Sequence, residues 1–130
     1  ELAAAYQTKI WSAYATYAFI DATFEDNNEF SAPNSPNAQP CSADPAESCN
    51  FVEDGDRLPG IPRHRFKFGA DYFLTAKWSV GGDLIAVSDQ VFFGDEANNS
   101  KPLGGYARVD LRTTYQATDN IQLYGLLRNV

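Results

Sequence analysis

The sequence predicts an all-β chain, an antiparallel meander of about five long strands. Three observations predict it. Apolar and polar residues alternate with period two over long stretches, and no stretch keeps a 3.6-residue period for long. The connections between those stretches alternate between long and short. Aromatic residues gather towards the ends of the stretches.

The first predicted strand is "KIWSAYATYAFIDATF", Lys9 to Phe24, with Trp11, Ala13, Ala15, Tyr17 and Phe19 on one face and Ser12, Tyr14, Thr16 and Ala18 on the other. The second is Arg65 to Leu74, within "LPGIPRHRFKFGADYFL". There Phe66, Phe68, Ala70, Tyr72 and Leu74 oppose Arg65, Lys67, Gly69 and Asp71, and only Phe73 interrupts the polar side. The third runs from Trp78 to Phe93, with Trp78, Val80, Leu84 and Ala86 against Ser79, Gly81, Asp83 and Asp89; Ile85 and Val87 blur the pattern. In the fourth, Tyr106 to Gln116, Val109, Leu111, Thr113 and Tyr115 oppose Arg108, Asp110, Arg112 and Thr114. In the fifth, Ile121 to Val130, Ile121, Leu123 and Leu127 oppose Gln122, Tyr124 and Arg128.

Strand length distinguishes a membrane wall from an ordinary sheet. Soluble strands average about 5–6 residues. About ten residues at ~3.3 Å each span ~33 Å, enough for a tilted strand to cross a hydrocarbon layer. The connections agree. Glu25 to His64 is long and rich in Asn, Pro, Ser, Asp and Glu; "TAK" (Thr75 to Lys77) is tight; "GDEANNSKPLGG" (Gly94 to Gly105) is long; "ATDN" (Ala117 to Asn120) is tight. Long loops on one side and tight turns on the other are the pattern of an outer-membrane barrel. Trp11, Trp78, Tyr115 and Tyr124 fall near the tight-turn end, and Phe24, Phe66, Phe92, Phe93 and Tyr106 near the long-loop end, as two interfacial girdles would. The charges on the polar faces suit a water- or plug-filled lumen better than a dry core.

Composition narrows the function. In 130 residues, 17 acidic against 10 basic side chains give a net charge of −7, which disfavours nucleic acid as a partner. Seven tyrosines, nine phenylalanines and two tryptophans are many rings for a small soluble core. No run approaches the ~20 apolar residues of a membrane helix. The absence of methionine and the opening at Glu1 inside patterned sequence are read as a processed product or an excised piece. Cys41 and Cys49, in a polar Pro-rich stretch, are expected to form a disulfide in an oxidising compartment. Closing that loop contributes about 2.5 kcal/mol in the chain-entropy treatment. With His64 the lone histidine, the pair lacks the further ligands a zinc site needs.

"YATYAFIDATF", "LPGIPRHRFKFGADY", "GDEANN", "PLGGYARVDLRTTYQ" and "NIQLYGLLRNV" resemble, in this order, the C-terminal barrel region of TonB-dependent outer-membrane receptors. The resemblance spans nearly the whole chain except Glu25 to Asp56. It implies that residues 1–130 are part of a 22-stranded transmembrane β-barrel, with a long extracellular loop at about 25–63. It also implies an N-terminal plug, energy delivered through TonB to a TonB box, and uptake of ferric siderophores, cobalamin, haem or carbohydrates, with a ferric siderophore the first expectation. The implied partners are outer-membrane lipid, the remaining strands and plug of the same receptor, TonB, and the small ligand. In the family a segment like Arg128 to Val130 continues into a final strand, so the chain is expected to be a part that transports nothing alone.

No enzyme is expected. One histidine, two paired cysteines and scattered carboxylates form no nucleophile–base set. No cofactor is expected either. Asp95, Glu96, Asn98 and Asn99, and separately Glu53, Asp54 and Asp56, are oxygen-rich loop tips with the chemistry to hold Ca²⁺ or a ligand hydroxyl, but their spacing matches no EF-hand loop and a solvated loop is the simpler account. Gly55, Gly60, Gly104 and Gly105 with Pro59, Pro62 and Pro102 read as turn residues, and Gly81–Gly82 lacks the context of a phosphate loop. The triplet Asn98–Asn99–Ser100 is a chance glycosylation match in a bacterial setting. No motif marks a ligand contact; the segments Glu25 to Arg63 and Gly94 to Gly105 are the expected place for one. The alternatives are a fragment of a diffusion porin, or a soluble β-sheet binding module whose apolar face packs on a second sheet of the same chain.

Overall fold

The computed structural model describes residues 1–130 and contains strands but no helix. It divides into two compact units, residues 1–19, 64–87 and 106–130, and residues 20–63 and 88–105.

The first unit is a six-stranded antiparallel sheet in the order β1 (Leu2–Gln7), β2 (Trp11–Phe19), β6 (His64–Thr75), β7 (Trp78–Val87), β8 (Tyr106–Thr118), β9 (Ile121–Arg128). Register locks one face to another. Tyr17, Phe66 and Ala86 stand in one row, then Ala15, Phe68, Leu84 and Val109, then Ala13, Ala70, Gly82, Leu111 and Leu127. The apolar side of every strand therefore falls on one continuous face, as period two requires when each strand pairs with its neighbour. This face covers no core. Leu111, Tyr72, Leu123 and Leu127 are exposed, and the sheet's one buried residue is Gly69 on the opposite face. About 25 cal/mol per Å² favours hiding such a face, so water alone is a poor solvent for it.

Turns are short where the sequence predicts them. Ala76–Lys77 joins β6 to β7 and Asp119–Asn120 joins β8 to β9, each next to a register shift, at Phe73/Thr75 and Gln116/Thr118. The Thr8 hydroxyl accepts from the amides of Ile10 and Trp11 and closes the turn between β1 and β2. Tyr6 and Trp11 rings pack at 5.1 Å beside it, and the Trp78 indole donates to Thr113 Oγ1 at 2.9 Å. Rings with a polar handle thus sit at the tight-turn end.

Several boundaries differ from expectation. There is a further strand, β1, whose short "LAAAYQ" alternation carries too little contrast to read. The first expected strand stops at Phe19 rather than Phe24, and the third at Val87 rather than Phe93. In both cases the chain passes into the second unit, where Asp89 pairs with Arg57 instead of extending the polar face of the sheet.

The second unit contains a small sheet in the order β3 (Asn28–Ser31), β5 (Ser48–Val52), β4 (Gln39–Pro40), all antiparallel. The expected polar loop therefore has a framework of its own. Its buried apolar side chains are Ala32, Cys41, Cys49, Val52, Val91 and Ala97, and Asn50 and Asp95 are buried with them. Cys41 and Cys49 are joined by a disulfide, with Cα atoms 5.0 Å apart, where Gln39 and Pro40 pair with Cys49 and Ser48. A core of this size would be marginal without a covalent tie.

Candidate functional site

Each unit carries one arrangement that ordinary folding does not demand. On the polar face of the large sheet, register places Asp71, Gly81 and Arg112 in one row and Tyr14, Gly69, Asp83 and Asp110 in the next. Next-nearest strands lie roughly 9.6 Å apart, too far for side chains to meet across an intervening residue of ordinary size. Glycine removes that obstacle. Arg112 reaches from β8 over Gly81 to β6 and grips Asp71 with a two-pronged fork, Nε to Oδ1 at 2.9 Å and Nη2 to Oδ2 at 2.7 Å. Its Nη1 also donates to Asp83. Tyr14 reaches over Gly69 and donates its hydroxyl to Asp83 at 2.5 Å. A Cβ at Gly69 would run into the Tyr14 ring and Asp83, and one at Gly81 into the Asp71 carboxylate. Lys67 Nζ lies 5.2 Å from the Tyr14 ring centre. The result is a half-buried ladder, balanced in charge, that ties β2, β6, β7 and β8 together.

Neither glycine is needed for a turn, and the sequence pattern identifies both only as members of the polar face. The signal that could have found the ladder is a glycine in mid-strand flanked, on both neighbouring strands, by long polar partners; it depends on register.

In the second unit the two segments expected to carry ligand contacts come together. Asn98, at φ 53°, is the clamp: its Nδ2 donates to the Arg57 carbonyl at 3.0 Å and its Oδ1 accepts from the Arg57 amide at 3.2 Å. Arg57 Nη1 pairs with Asp89 at 2.6 Å, and its Nη2 donates to the Asp89 carbonyl at 3.0 Å. That guanidinium hydrogen bond holds the Asp89 carboxyl below its ordinary titration range. Asn50, almost fully buried, donates to the Gly94 carbonyl at 2.9 Å and to Glu96 at 3.2 Å, while its Oδ1 has no partner.

The oxygen-rich tips are occupied with their own loops. Asp95 uses both carboxylate oxygens to accept from the amides of Asn99 and Ser100, each at 3.0 Å. Asp56 accepts from the Glu53 amide at 2.8 Å across a turn that needs Gly55 at φ 93°. The simpler account of a merely solvated loop understates Asp95, which is buried. Glu29 lies close to the two cysteine sulfurs, but those sulfurs are spent on each other, and Glu29 accepts from the Ser42 amide at 2.6 Å.

The clamps leave an open cleft of about 860 Å³ within this unit. Phe24, Phe30, Phe92 and Phe93 line it with Pro33, Pro36, Leu58 and Pro59, and Glu96 adds a carboxylate. Phe24 and Phe30 pack at 5.8 Å. Phe93 is 86% exposed although its ring covers Gly60, whose φ of 75° and missing Cβ make room for it. An exposed phenylalanine beside a half-open apolar cleft is a surface suited to a ligand.

A long-stranded antiparallel sheet with an uncovered apolar face, a charged face and connections alternately long and tight has the pattern of part of a membrane β-barrel. A family model described as TonB dependent receptor-like, beta-barrel matches residues 1–130, and the chain belongs to that family. Its members lie in the bacterial outer membrane and are transporters rather than enzymes. No curated protein and no solved structure matches the chain.

Proposed function

We propose that this chain is the part of a TonB-energised receptor that meets a ferric siderophore at the cell surface and borders its path inward. The observation that carries the reading is the joining of two distant loop segments, residues 20–63 and 88–105, through Arg57–Asp89, Asn98–Arg57 and Asn50–Glu96 into one unit with an internal disulfide and an aromatic cleft. Transport across the outer membrane needs no such unit if diffusion suffices, which favours a receptor over a general porin. In this reading the unit is extracellular and offers the first contact for the cargo. The apolar face of the six-stranded sheet meets lipid, and the polar face with its Arg112–Asp71–Asp83 ladder meets a lumen holding the plug. TonB acts through the plug.

The test is uptake of ⁵⁵Fe-loaded siderophores by cells that depend on the full-length receptor. Accumulation that disappears on loss of TonB supports the reading. Accumulation independent of TonB would favour a diffusion pore, and iron-independent uptake of another nutrient would replace the cargo.

A further inference from the structure

Charge divides unevenly along the chain. Residues 20–63 and 88–105 hold twelve acidic against three basic side chains, a net charge of −9 in a protein whose total is −7. Two of those three cations are already paired, Arg57 with Asp89 at 2.6 Å and Arg63 with Asp21 at 3.0 Å. Only Lys101 remains outside such a pair, and it does not line the aromatic cleft.

The cleft has the chemistry of a cation site. Four phenylalanines are among its lining residues, and an aromatic ring can attract positive charge to its face. Its charged members are Asp95 and Glu96. Asp95 is turned into its own loop, as described above. Glu96 accepts from the Gly94 amide at 3.1 Å and from the Asn50 side-chain amide at 3.2 Å, both neutral donors, and it forms no ion pair with a Lys or Arg of this chain. Each carboxylate oxygen keeps a further lone pair, so the group can take another donor. Burying its neighbour Asn50 fixes the carboxylate in place before any ligand arrives.

We infer that this cleft selects neutral or positively charged ligands bearing apolar surface and rejects strongly anionic ones. The inference rests on the siderophore reading for the identity of the cargo, and it divides that cargo by chemical class. Three hydroxamates, each losing one proton, cancel the charge of ferric iron, so a ferric trihydroxamate is neutral, or cationic where its backbone carries an amine. Three catecholates each lose two protons and leave a triply anionic complex. Such an anion would approach a loop unit of like charge and find no guanidinium or ammonium among the residues of this chain that line the cleft. A linear ferric trihydroxamate with one free amine fits on both counts, its methylenes on the rings and its ammonium at Glu96.

The experiment measures equilibrium binding to the intact receptor in detergent with four probes. They are a ferric trihydroxamate with a free amine, the same complex N-acetylated to neutrality, a ferric triscatecholate, and benzyltrimethylammonium as an iron-free aromatic cation. The expected result is about fivefold or greater preference for the amine complex over its acetylated form at low salt, and weakest binding for the triscatecholate. That preference collapses in Glu96→Gln, which keeps an acceptor for Asn50 and Gly94, and shrinks as salt rises. Phe93→Ala weakens all binding probes without changing the ratio. Triscatecholate binding as tight as the amine complex would overturn the charge inference while leaving the siderophore reading standing. Binding of the aromatic cation but of no ferric complex would support the cleft's charge preference and remove the siderophore. Binding of none of the four would overturn both.

Discussion

Gly69 and Gly81 show how a missing side chain can organise several present ones. Each sits in the middle of a strand, where glycine ordinarily costs stability. Here the absence of a Cβ lets Tyr14 meet Asp83 and lets Arg112 meet Asp71 across an intervening strand. Gly69→Val is therefore expected to destabilise the barrel by about 1–3 kcal/mol despite valine's preference for strands, because it evicts Tyr14 from its partner. Thermal loss of the compact, detergent-resistant form on gels measures it. Arg112→Met leaves two facing carboxylates without their cation and should lower the same midpoint. Adding Asp71→Asn and Asp83→Asn should recover part of the loss, and failure to recover would mean that the ladder is not electrostatic. In the loop unit, the depressed Asp89 carboxyl carries a pH consequence. Its folded value lies below its unfolded one, so its contribution is complete above about pH 4 and fades as the pH falls through the folded value. Limited proteolysis of residues 88–105 should accelerate in acid, and Asp89→Asn should flatten that dependence.

At the scale of elements, β8 is the clearest test strand. Leu111 stands on the apolar face, aligned with Gly82 and Leu127, and Thr114 stands on the other, aligned with Ser79 and Tyr124. Leu111→Arg is expected to cost ~2–4 kcal/mol near the bilayer midplane and to block assembly of the full-length receptor, whereas Thr114→Arg should assemble. Outer-membrane levels of the two variants decide it. The small sheet β3–β5–β4 depends on a different bond. Replacing Cys41 and Cys49 together by serine should remove about 2.5 kcal/mol from the loop unit and expose residues 32–40 to protease, with the barrel itself intact.

What was legible in the sequence follows from what period two encodes. The strands from His64 to Thr75 and from Tyr106 to Thr118 could be read to within a residue or two, because alternation of strong apolar and charged residues fixes the face of every position. β1 was not legible: alanine is nearly neutral between faces, and "LAAA" carries no contrast. The strands at Asn28–Ser31 and Ser48–Val52 are too short to hold a pattern, and they exist because each pairs with the other and a disulfide ties them. The cleft and the glycine-bridged ladder were illegible for a related reason. Both join residues far apart in the chain, such as Asn50 with Glu96 and Asp71 with Arg112, and only pairing register and loop folding bring them together.

On the scale of the whole molecule, the two units divide labour by charge and polarity. The sheet unit has an apolar face for lipid and a balanced ladder on its other side; the loop unit holds an excess of negative charge and an aromatic cleft with Asp95 and Glu96 among its lining residues. The family membership supplies the outer membrane as the setting in which an uncovered apolar face is stable. The central question is therefore which solvent each face of the sheet meets. The direct measurement is a nitroxide scan of β8 from Ala107 to Gln116 in the full-length receptor reconstituted in bilayers. Collision rates with oxygen, which concentrates in lipid, and with a water-soluble nickel chelate are compared at each position. The account predicts strict alternation, with Val109, Leu111, Thr113 and Tyr115 accessible to oxygen and Arg108, Asp110, Arg112 and Thr114 shielded from it. Uniform access to the nickel chelate along the strand, or oxygen access in phase with Arg108 and Arg112, would contradict it.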